Sequence, residues 1–339
     1  MPRRPGSDPQ IGARIRTRRQ LRGWSIRFAA DRAGLAHTTW SRIERGIISA
    51  DNRYTLADIA RALDCSVLDL AGNPAAPDTR DEALLAYAID AIHTALLDAD
   101  IAEAPLCVPR PWPELIREAE LVHHLRMRCD FLGAARRLPD LVRELHAATH
   151  GPHRGEALHR FSITAHDAQA VANTTGYKRD CWLSAMRCQQ AAELLDDPIM
   201  LALGGFATSV AAASAGAYAR SVTRADRAAD ALSAHLDVDG ALPMLGMLHM
   251  SYAMSARGDH RESDSGHRLA EASSLAARTG ETMTLDMGFG PTNLAIWQIT
   301  IETDGGDPGR AVEISSKTTP AALPMPSRQA TFHSDVARA

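Results

Sequence analysis

The sequence contains few aromatic residues and few cysteines, and it has no long apolar run. Aromatic side chains make up 5% of the 339 residues, which argues against a β-sandwich and suits closely packed helices. The five cysteines are odd in number, widely spaced and never form a CxxC pair, so a disulfide framework is not indicated. No stretch approaches the roughly 18 apolar residues of a membrane span. We therefore expect a cytoplasmic protein without membrane segments.

Signals for export and for catalysis are also missing. The start, MPRRPGSDPQ, carries charge but no apolar core, so no signal peptide is expected. The sequence contains no nucleophile elbow, P-loop, dinucleotide-binding fingerprint or HExxH motif. We therefore expect no enzymatic activity, no catalytic residue and no cofactor.

The charge is distributed unevenly along the chain. Residues 1–72 contain 13 arginines and 7 acidic residues, a net charge of +6. The remaining residues contain 24 basic and 34 acidic side chains, a net charge of −10. A basic head on an acidic body indicates an anionic partner for the head alone.

Helical patterns and helix breaks divide the chain into three parts. Residues 1–72 read as five short helices, and residues 73–113 read as a linker with one amphipathic helix. Residues 114–339 read as an array of helices that ends in a short final helix. Similar apolar patches centred on Leu194, Leu232 and Leu275 lie 38 and 43 residues apart, which predicts helix-hairpin repeats. The predicted fold class is all-α.

Residues 26–45, IRFAADRAGLAHTTWSRIER, have the marks of a helix-turn-helix. Two closely crossing helices need a small residue in the middle of the first, and Ala30 lies there. The turn needs a residue that tolerates positive φ, and Gly34 follows four positions later. The outer face of the following helix is then polar. The alternative is a helical hairpin that binds nothing.

The runs IGARIRTRRQLRGWSIRFAADRAGLAHTTWSRIERG and TLADIARALDCSVLDLAG closely resemble the Cro/repressor-type (XRE) helix-turn-helix family over about 62 residues. That family usually has a proline shortly after SRIERG, whereas IISADNRY follows here. The array, including FGPTNLAIWQITIETDGGDPGRAVEISS, is similar to the TPR-like region of actinobacterial XRE regulators. The resemblance implies a five-helix Cro/repressor-type DNA-binding domain followed by a TPR-like helical-repeat array.

The resemblance also implies two groups of DNA contacts, because the family places its third helix in the major groove. The residues implied at base edges are His37, Thr38, Ser41 and Arg42. The residues implied at phosphates are Ser25, Arg27 and Arg45. Arg42 is the best base reader, because a guanidinium group can pair with both O6 and N7 of guanine. A basic surface on the first helix is expected from Arg14, Arg16, Arg18, Arg19 and Arg22.

The first helices of the predicted hairpins cover about 155–172, 199–217, 241–257 and 292–302 and should line a concave groove. The candidate effector contacts in that groove are Asn173, His249, Tyr252, Thr292, Asn293 and Trp297. Related repeat regulators bind short peptides in this way, so the resemblance implies a peptide or small-molecule effector. The alternative is that these residues only pack the array.

Three further patterns have a functional and a structural interpretation. His146 and His150 have a spacing that zinc sites use, but Gly151-Pro152 breaks the helix and no further ligand lies at suitable spacing, so we expect no metal. Cys181 and Cys188 lie seven residues apart and read as buried small side chains rather than a redox sensor. Amides near Thr292 and Asn293 begin a helix, which either binds an anion or is a plain helix start.

Together these features predict a sequence-specific transcriptional regulator. A domain of this size reads few base pairs, so we expect a homodimer on double-stranded DNA. One alternative is a constitutive DNA-binding protein whose repeats recruit a protein partner. Another is an enzyme with a fused DNA-binding head, which the lack of catalytic motifs disfavours.

Overall fold

The computed structural model describes residues 9–50, 52–72 and 77–339. The chain forms two compact units, residues 1–76 with 215–217 and residues 77–214 with 218–339. The predictions for the first eight residues and for linker residues 73–76 lie outside the described residues. The described residues form helices and one short β-hairpin, which confirms the predicted all-α class with a helix-turn-helix head and a helical-repeat body.

The first unit contains five short helices, as the sequence predicts. They are α1 (Pro9–Leu21), α2 (Ile26–Arg32), α3 (His37–Glu44), α4 (Arg53–Ala62) and α5 (Val67–Ala71). The side chains of Ser25, Asn52 and Ser66 accept backbone N–H groups at the starts of α2, α4 and α5. Such caps satisfy amides that have no partner within the helix and so fix where each helix begins.

Two glycines determine how α1, α2 and α3 pack. Gly34, between α2 and α3, has a φ of 68°, a left-handed conformation that favours glycine. Gly12 lies where α1 approaches α3, and a Cβ atom there would overlap the carbonyl oxygen of Ile43. The sequence predicts the role of Gly34, whereas no pattern in it singles out Gly12.

The second unit contains thirteen α-helices and two short 3-10 helices among the described residues. The helices before the repeats are α6 (Arg80–Asp98), α7 (Trp112–Met127), α8 (Phe131–Ala135) and α9 (Leu138–Ala148). The helices that follow are α10 (Arg154–Thr174), α11 (Cys181–Glu193), α12 (Pro198–Ser214), α13 (Tyr218–Ser233), α14 (Ala241–Gly258), α15 (Glu262–Thr279), α16 (Pro291–Gly305), α17 (Pro308–Ser315) and α18 (Pro326–Arg338). Two strands precede α16, namely β1 (Thr282–Thr284) and β2 (Met287–Phe289).

Helices α10 to α17 form four successive pairs, and each pair packs on the next. The first helices of these pairs, α10, α12, α14 and α16, lie where the sequence predicts them. One continuous hydrophobic cluster extends from α6 to α16. A shared core of this kind is expected when each repeat buries its apolar face against its neighbour.

Helix α6 packs in the second unit, whereas the sequence pattern assigns it to a linker over residues 73–113. Its residues Ala88, Ile92 and Leu96 are buried in the same hydrophobic cluster as residues of α9 and α11. The guanidinium group of Arg187 on α11 donates to the carbonyl oxygens of Leu96 and Leu97 at 2.9 and 3.4 Å. Because the body covers its apolar face, α6 belongs to the second unit, which begins at residue 77 rather than after residue 113.

A short β-hairpin, which no pattern in the sequence indicates, precedes α16. The strands pair in antiparallel fashion, with Thr284 opposite Met287. The two turn residues, Leu285 and Asp286, have φ values of 50° and 52°. The hairpin packs on α14, where Gly246 leaves room for the ring of Phe289.

Helix α18 covers the last helix pair. Phe332 of α18 is buried in one apolar cluster with Ile296 and Ile299 of α16. The hydroxyl group of Thr300 donates to the carboxylate of Asp335 on α18. This final helix therefore closes the described array at the position where a repeat protein carries a cap.

Candidate nucleic-acid interface and effector sites

The outer face of α3 carries the residues predicted to contact bases. His37, Thr38 and Arg42 are exposed, and Ser41 is half-buried. Trp40, on the other side of the helix, is fully buried. The structure thus presents the four predicted side chains on one helix, on the side away from the core.

A buried ion pair fastens α3 to α1. The carboxylate of Glu44 accepts hydrogen bonds from Nε and Nη2 of Arg19 at 2.6 and 2.9 Å, and from Nε1 of Trp40 at 2.6 Å. Nη1 of Arg19 donates to the carbonyl oxygen of Trp24 at 2.7 Å. Both charged side chains are buried, so loss of either partner would leave an uncompensated charge in the core. This contact fixes the C-terminal end of α3.

The arginines of α1 do not form the continuous basic surface that the sequence predicts. Arg19 is buried, and the guanidinium group of Arg14 donates to the carbonyl oxygens of Leu70 and Ala71 at 3.0 and 2.8 Å. These carbonyl groups lie at the end of α5 and have no donor within the helix, so the contact of Arg14 is structural. Arg16, by contrast, is exposed.

The residues predicted to hold phosphates lie beside α2 and α3. Oγ of Ser25 accepts the backbone N–H of Phe28 at 3.1 Å, which leaves the hydroxyl hydrogen able to donate. Arg27 is exposed near the start of α2. Arg45 is also exposed, and its Nε donates to the carbonyl oxygen of Ser41 at 3.3 Å. The arrangement offers one hydroxyl donor and two guanidinium groups to an anionic backbone.

Sequence reasoning did not identify Glu44 as the residue that anchors α3. A signal for this role was present, because Trp40 and Glu44 are four residues apart and therefore share a helix face. A carboxylate beside a core tryptophan requires donors. The donor that the structure supplies, Arg19, could not be chosen among the several arginines of α1.

The six candidate effector residues do not form one cluster. Asn173 is half-buried at the end of α10 and accepts the hydroxyl group of Ser214 at 2.9 Å. Tyr252 belongs to an apolar cluster between α14 and α13, and the guanidinium group of Arg268 lies 4.7 Å from its ring centroid. His249 is buried on α14. Tyr252 thus packs between helices rather than facing an open groove.

Asn293 and Trp297 lie on α16 next to α18. The side-chain amide of Asn293 donates to the carbonyl oxygen of Gly288 and accepts Nε of Arg328 at 2.9 Å. The guanidinium group of Arg328 also lies 5.4 Å from the ring centroid of Trp297. Both α16 side chains are buried, so a ligand would reach them only after α18 moved.

The start of α16 already has an anionic partner within the chain. The backbone N–H of Thr292 donates to Oε1 of Glu281 at 2.8 Å. This carboxylate lies at the helix start where the sequence pattern allows an anionic ligand.

His123 connects the tip of the hairpin to α7 and α10. Its Nδ1 lies 2.8 Å from Oδ2 of Asp167, and its Nε2 lies 2.8 Å from Oδ2 of Asp286. Nε of Arg126 donates to the other oxygen of Asp167 at 2.8 Å. Burial opposes protonation of His123, but the hydrogen bond and charge of Asp167 outweigh it and raise the His123 pKa. Protonated His123 donates to both carboxylates and so fixes the turn of the hairpin.

The remaining candidate sites have structural contacts. Within the described ranges, no group of three or more His, Cys, Asp or Glu side chains could hold a metal ion. Burial raises the pKa of the Cys181 and Cys188 thiols to about 12, which keeps both protonated and poorly reactive.

None of the helices in the described part of the chain is long and apolar enough to cross a membrane.

The first unit matches a known domain family. Residues 10–71 match the helix-turn-helix domain family, so the N-terminal unit contains a helix-turn-helix domain. No curated protein matches the chain. A solved structure with similarity to the chain is the crystal structure of Bacillus thuringiensis PlcR in complex with the peptide PapR7 and DNA. The two chains share 16% identity, with 80% of this chain and 95% of that chain covered at a TM-score of 0.34.

Proposed function

We propose that the protein is a cytoplasmic, non-enzymatic transcriptional regulator of the Cro/repressor (XRE) type that binds double-stranded DNA through α3. The observation that carries the proposal is the exposed polar face of α3, within a helix-turn-helix domain, on a helix that Glu44 anchors to α1. The net charge of +6 on residues 1–72 favours a polyanionic partner for this unit.

Substitutions of Arg42 and Arg45 test which of the two contacts a base and which contacts phosphate. Arg42→Ala should cost about 1–3 kcal/mol of binding free energy on a selected operator and relax one base position. Arg45→Ala should weaken binding to all sequences by a similar factor. Arg61→Ala is the matched control, because Arg61 is exposed on α4 and pairs with Asp58. If Arg42→Ala weakens specific and nonspecific DNA equally, Arg42 contacts phosphate and not a base.

We also propose that the protein acts as a homodimer. A single helix-turn-helix domain contacts few base pairs, and two copies on a near-palindrome multiply the specificity. The two half-sites should then lie about one helical turn, roughly 10 base pairs, or a multiple of it, apart. Sedimentation and footprinting test this together, and a monomer with a single unpaired footprint would contradict it.

The helical-repeat body is the proposed sensor of a peptide or small-molecule effector. The proposal is supported by the row of first helices α10, α12, α14 and α16, among which Asn173 remains half-exposed. An effector can regulate only if it binds the DNA-competent and incompetent states with different affinity. A screen should therefore measure both thermal stabilisation and operator release, with Asn173→Ala as the test variant. Ligands that stabilise the protein without changing operator affinity would favour the alternative, a constitutive DNA-binding protein whose body recruits a protein partner.

A further inference from the structure

The second unit contains a cavity of about 510 Å³ that lies apart from the predicted effector residues. It is bordered by residues 105 and 107–110 of the loop before α7, by Trp112 and Leu115 of α7, and by residues 147, 148 and 150–153 at and after the end of α9. Its volume falls within the range of small-molecule sites, about 300–1,000 Å³. This size suits a small molecule.

The walls of the cavity are apolar and aromatic. Leu115 is fully buried, and the rings of Trp112 and His153 stack with centroids 4.7 Å apart and planes 7° apart. Val108 also borders the cavity, and its side chain is 90% exposed. A bound apolar molecule would cover this side chain and remove its apolar surface from water.

The guanidinium group of Arg110, which borders the cavity, is paired with carboxylates. Nε of Arg110 donates to Glu144 at 2.6 Å, and the same guanidinium group lies 3.6 Å from Glu118. Glu118 also pairs with Arg137 at 2.8 Å. Because the guanidinium group of Arg110 already has carboxylate partners, an anionic ligand would lose its hydration without gaining a free counter-charge from this side chain. The cavity therefore favours a neutral molecule.

His150 supplies one acceptor at the cavity. Its Nδ1 lies 3.2 Å from the carbonyl oxygen of His146 and 3.2 Å from Oγ1 of Thr149. The Thr149 hydroxyl group donates to that same carbonyl oxygen at 2.7 Å, so both atoms near Nδ1 act as acceptors towards it. Two acceptors beside Nδ1 favour the tautomer with the hydrogen on Nδ1, in which Nε2 has a lone pair that can accept. No described residue hydrogen-bonds this Nε2.

We propose that this cavity binds a neutral, largely apolar small molecule with a hydroxyl or N–H group that donates to Nε2 of His150. The walls supply apolar contact, and the imidazole supplies orientation. The site is a second candidate effector site, and only its regulatory consequence rests on the proposed function. Binding itself requires neither DNA nor a second copy of the chain.

Three naphthalene probes test the proposed chemistry on the full chain without DNA at pH 7. They are 2-naphthol, which has a donor, 2-methoxynaphthalene, which lacks it, and the anion 2-naphthoate. We expect saturable binding of one 2-naphthol per chain by calorimetry. The methoxy compound should bind about fivefold more weakly, as for the loss of one hydrogen bond, and the anion at least about tenfold more weakly. No saturable binding of 2-naphthol, or equal binding of the anion, would overturn the proposal.

His150→Phe tests the orienting contact, because it keeps an aromatic ring and removes the acceptor. In this variant 2-naphthol and 2-methoxynaphthalene should bind equally. His124→Phe is the matched control, since His124 is exposed on α7 and does not border the cavity. A donor preference that persists in His150→Phe would show that the hydroxyl group binds elsewhere.

Two further readouts locate the probe. Val108→Ser should weaken all three probes, whereas Val312→Ser, the same change at an exposed valine of α17, should not. Bound 2-naphthol should also slow alkylation of Cys107, which borders the cavity, but not of Cys129, which does not. Burial raises the pKa of both thiols, so the comparison is made between similar groups. Equal protection of both thiols, or equal effects of the two valine changes, would overturn the location.

Discussion

Exchanging Glu44 for glutamine tests whether the buried ion pair holds α3 in place. Glu44→Gln keeps an acceptor for Nε1 of Trp40 but leaves the charge of Arg19 in the core without a counter-ion. Removal of one partner from a buried pair costs about 3–5 kcal/mol. The helix-turn-helix domain has about 60 residues, and at about 0.05–0.15 kcal/mol per residue its whole stability is about 3–9 kcal/mol. The variant should therefore lose a large part of the stability of the first unit.

Hydrogen exchange of the α3 amides in the full chain measures this loss. The expected 3–5 kcal/mol corresponds to exchange that is faster by about two to three and a half orders of magnitude, at tenfold per 1.4 kcal/mol. Arg19→Met should have an effect of similar size, whereas Arg19→Met combined with Glu44→Gln should cost much less than the sum. Arg61→Met is the control, since an exposed pair contributes less than about 1 kcal/mol. Losses below about 1 kcal/mol in either single variant, or strictly additive losses, would refute the reasoning.

Further predictions concern the second unit. Gly246→Ala should destabilise this unit by about 1–3 kcal/mol in urea denaturation, because the new Cβ atom would overlap the ring of Phe289. The control is Gly266→Ala on α15, where the space around the new Cβ atom is open. This control variant should be neutral or slightly stabilising. Burial lowers the pKa of His166 to about 4, so its contribution to stability is complete above about pH 6.5 and should fall by about 3 kcal/mol as the pH drops to 4. His166→Phe should flatten this part of the pH profile, and an unchanged profile would exclude His166 as its cause. The pKa of His123 is raised, so its effect on the pH dependence of stability is the opposite. The contribution of His123 to stability is complete below about pH 6.5 and is lost as the pH rises through the folded-state pKa. The protection of the amides of residues 282–289, measured against the intrinsic exchange rate at each pH, should therefore fall at high pH, and Asp286→Asn should remove part of that dependence.

The head could be predicted from sequence because its signals are local. The spacing from Ala30 to Gly34 and the apolar positions of α3 depend on neighbours within a few residues. Burial of Arg19 could not be predicted, because its partner Glu44 lies 25 residues away and α1 offers other arginines. Periodicity identifies the face that a helix buries, but it does not identify the residue that covers that face.

The body shows the same limit at greater distances. The first helices of the repeats could be placed, because their breaks are marked by glycine and proline. The covering of Trp297 by Arg328 could not be foreseen, since these residues belong to different helices that are joined through α17. The hairpin could not be predicted, because each strand has only three residues and its turn, Leu285-Asp286, lacks the asparagine or glycine that usually marks positive φ.

The salt dependence of DNA binding by the full chain tests the central claim most directly. The logarithm of the affinity for duplex DNA should fall linearly with the logarithm of salt concentration, with a slope of about −0.9 for each phosphate neutralised. Replacing both Arg27 and Arg45 by alanine should reduce that slope by about 1.8 per head, whereas Arg61→Ala should leave it unchanged. This outcome would place the DNA on the α2–α3 face. A flat salt response of the unmodified chain, or a slope that is the same after both substitutions, would contradict the account.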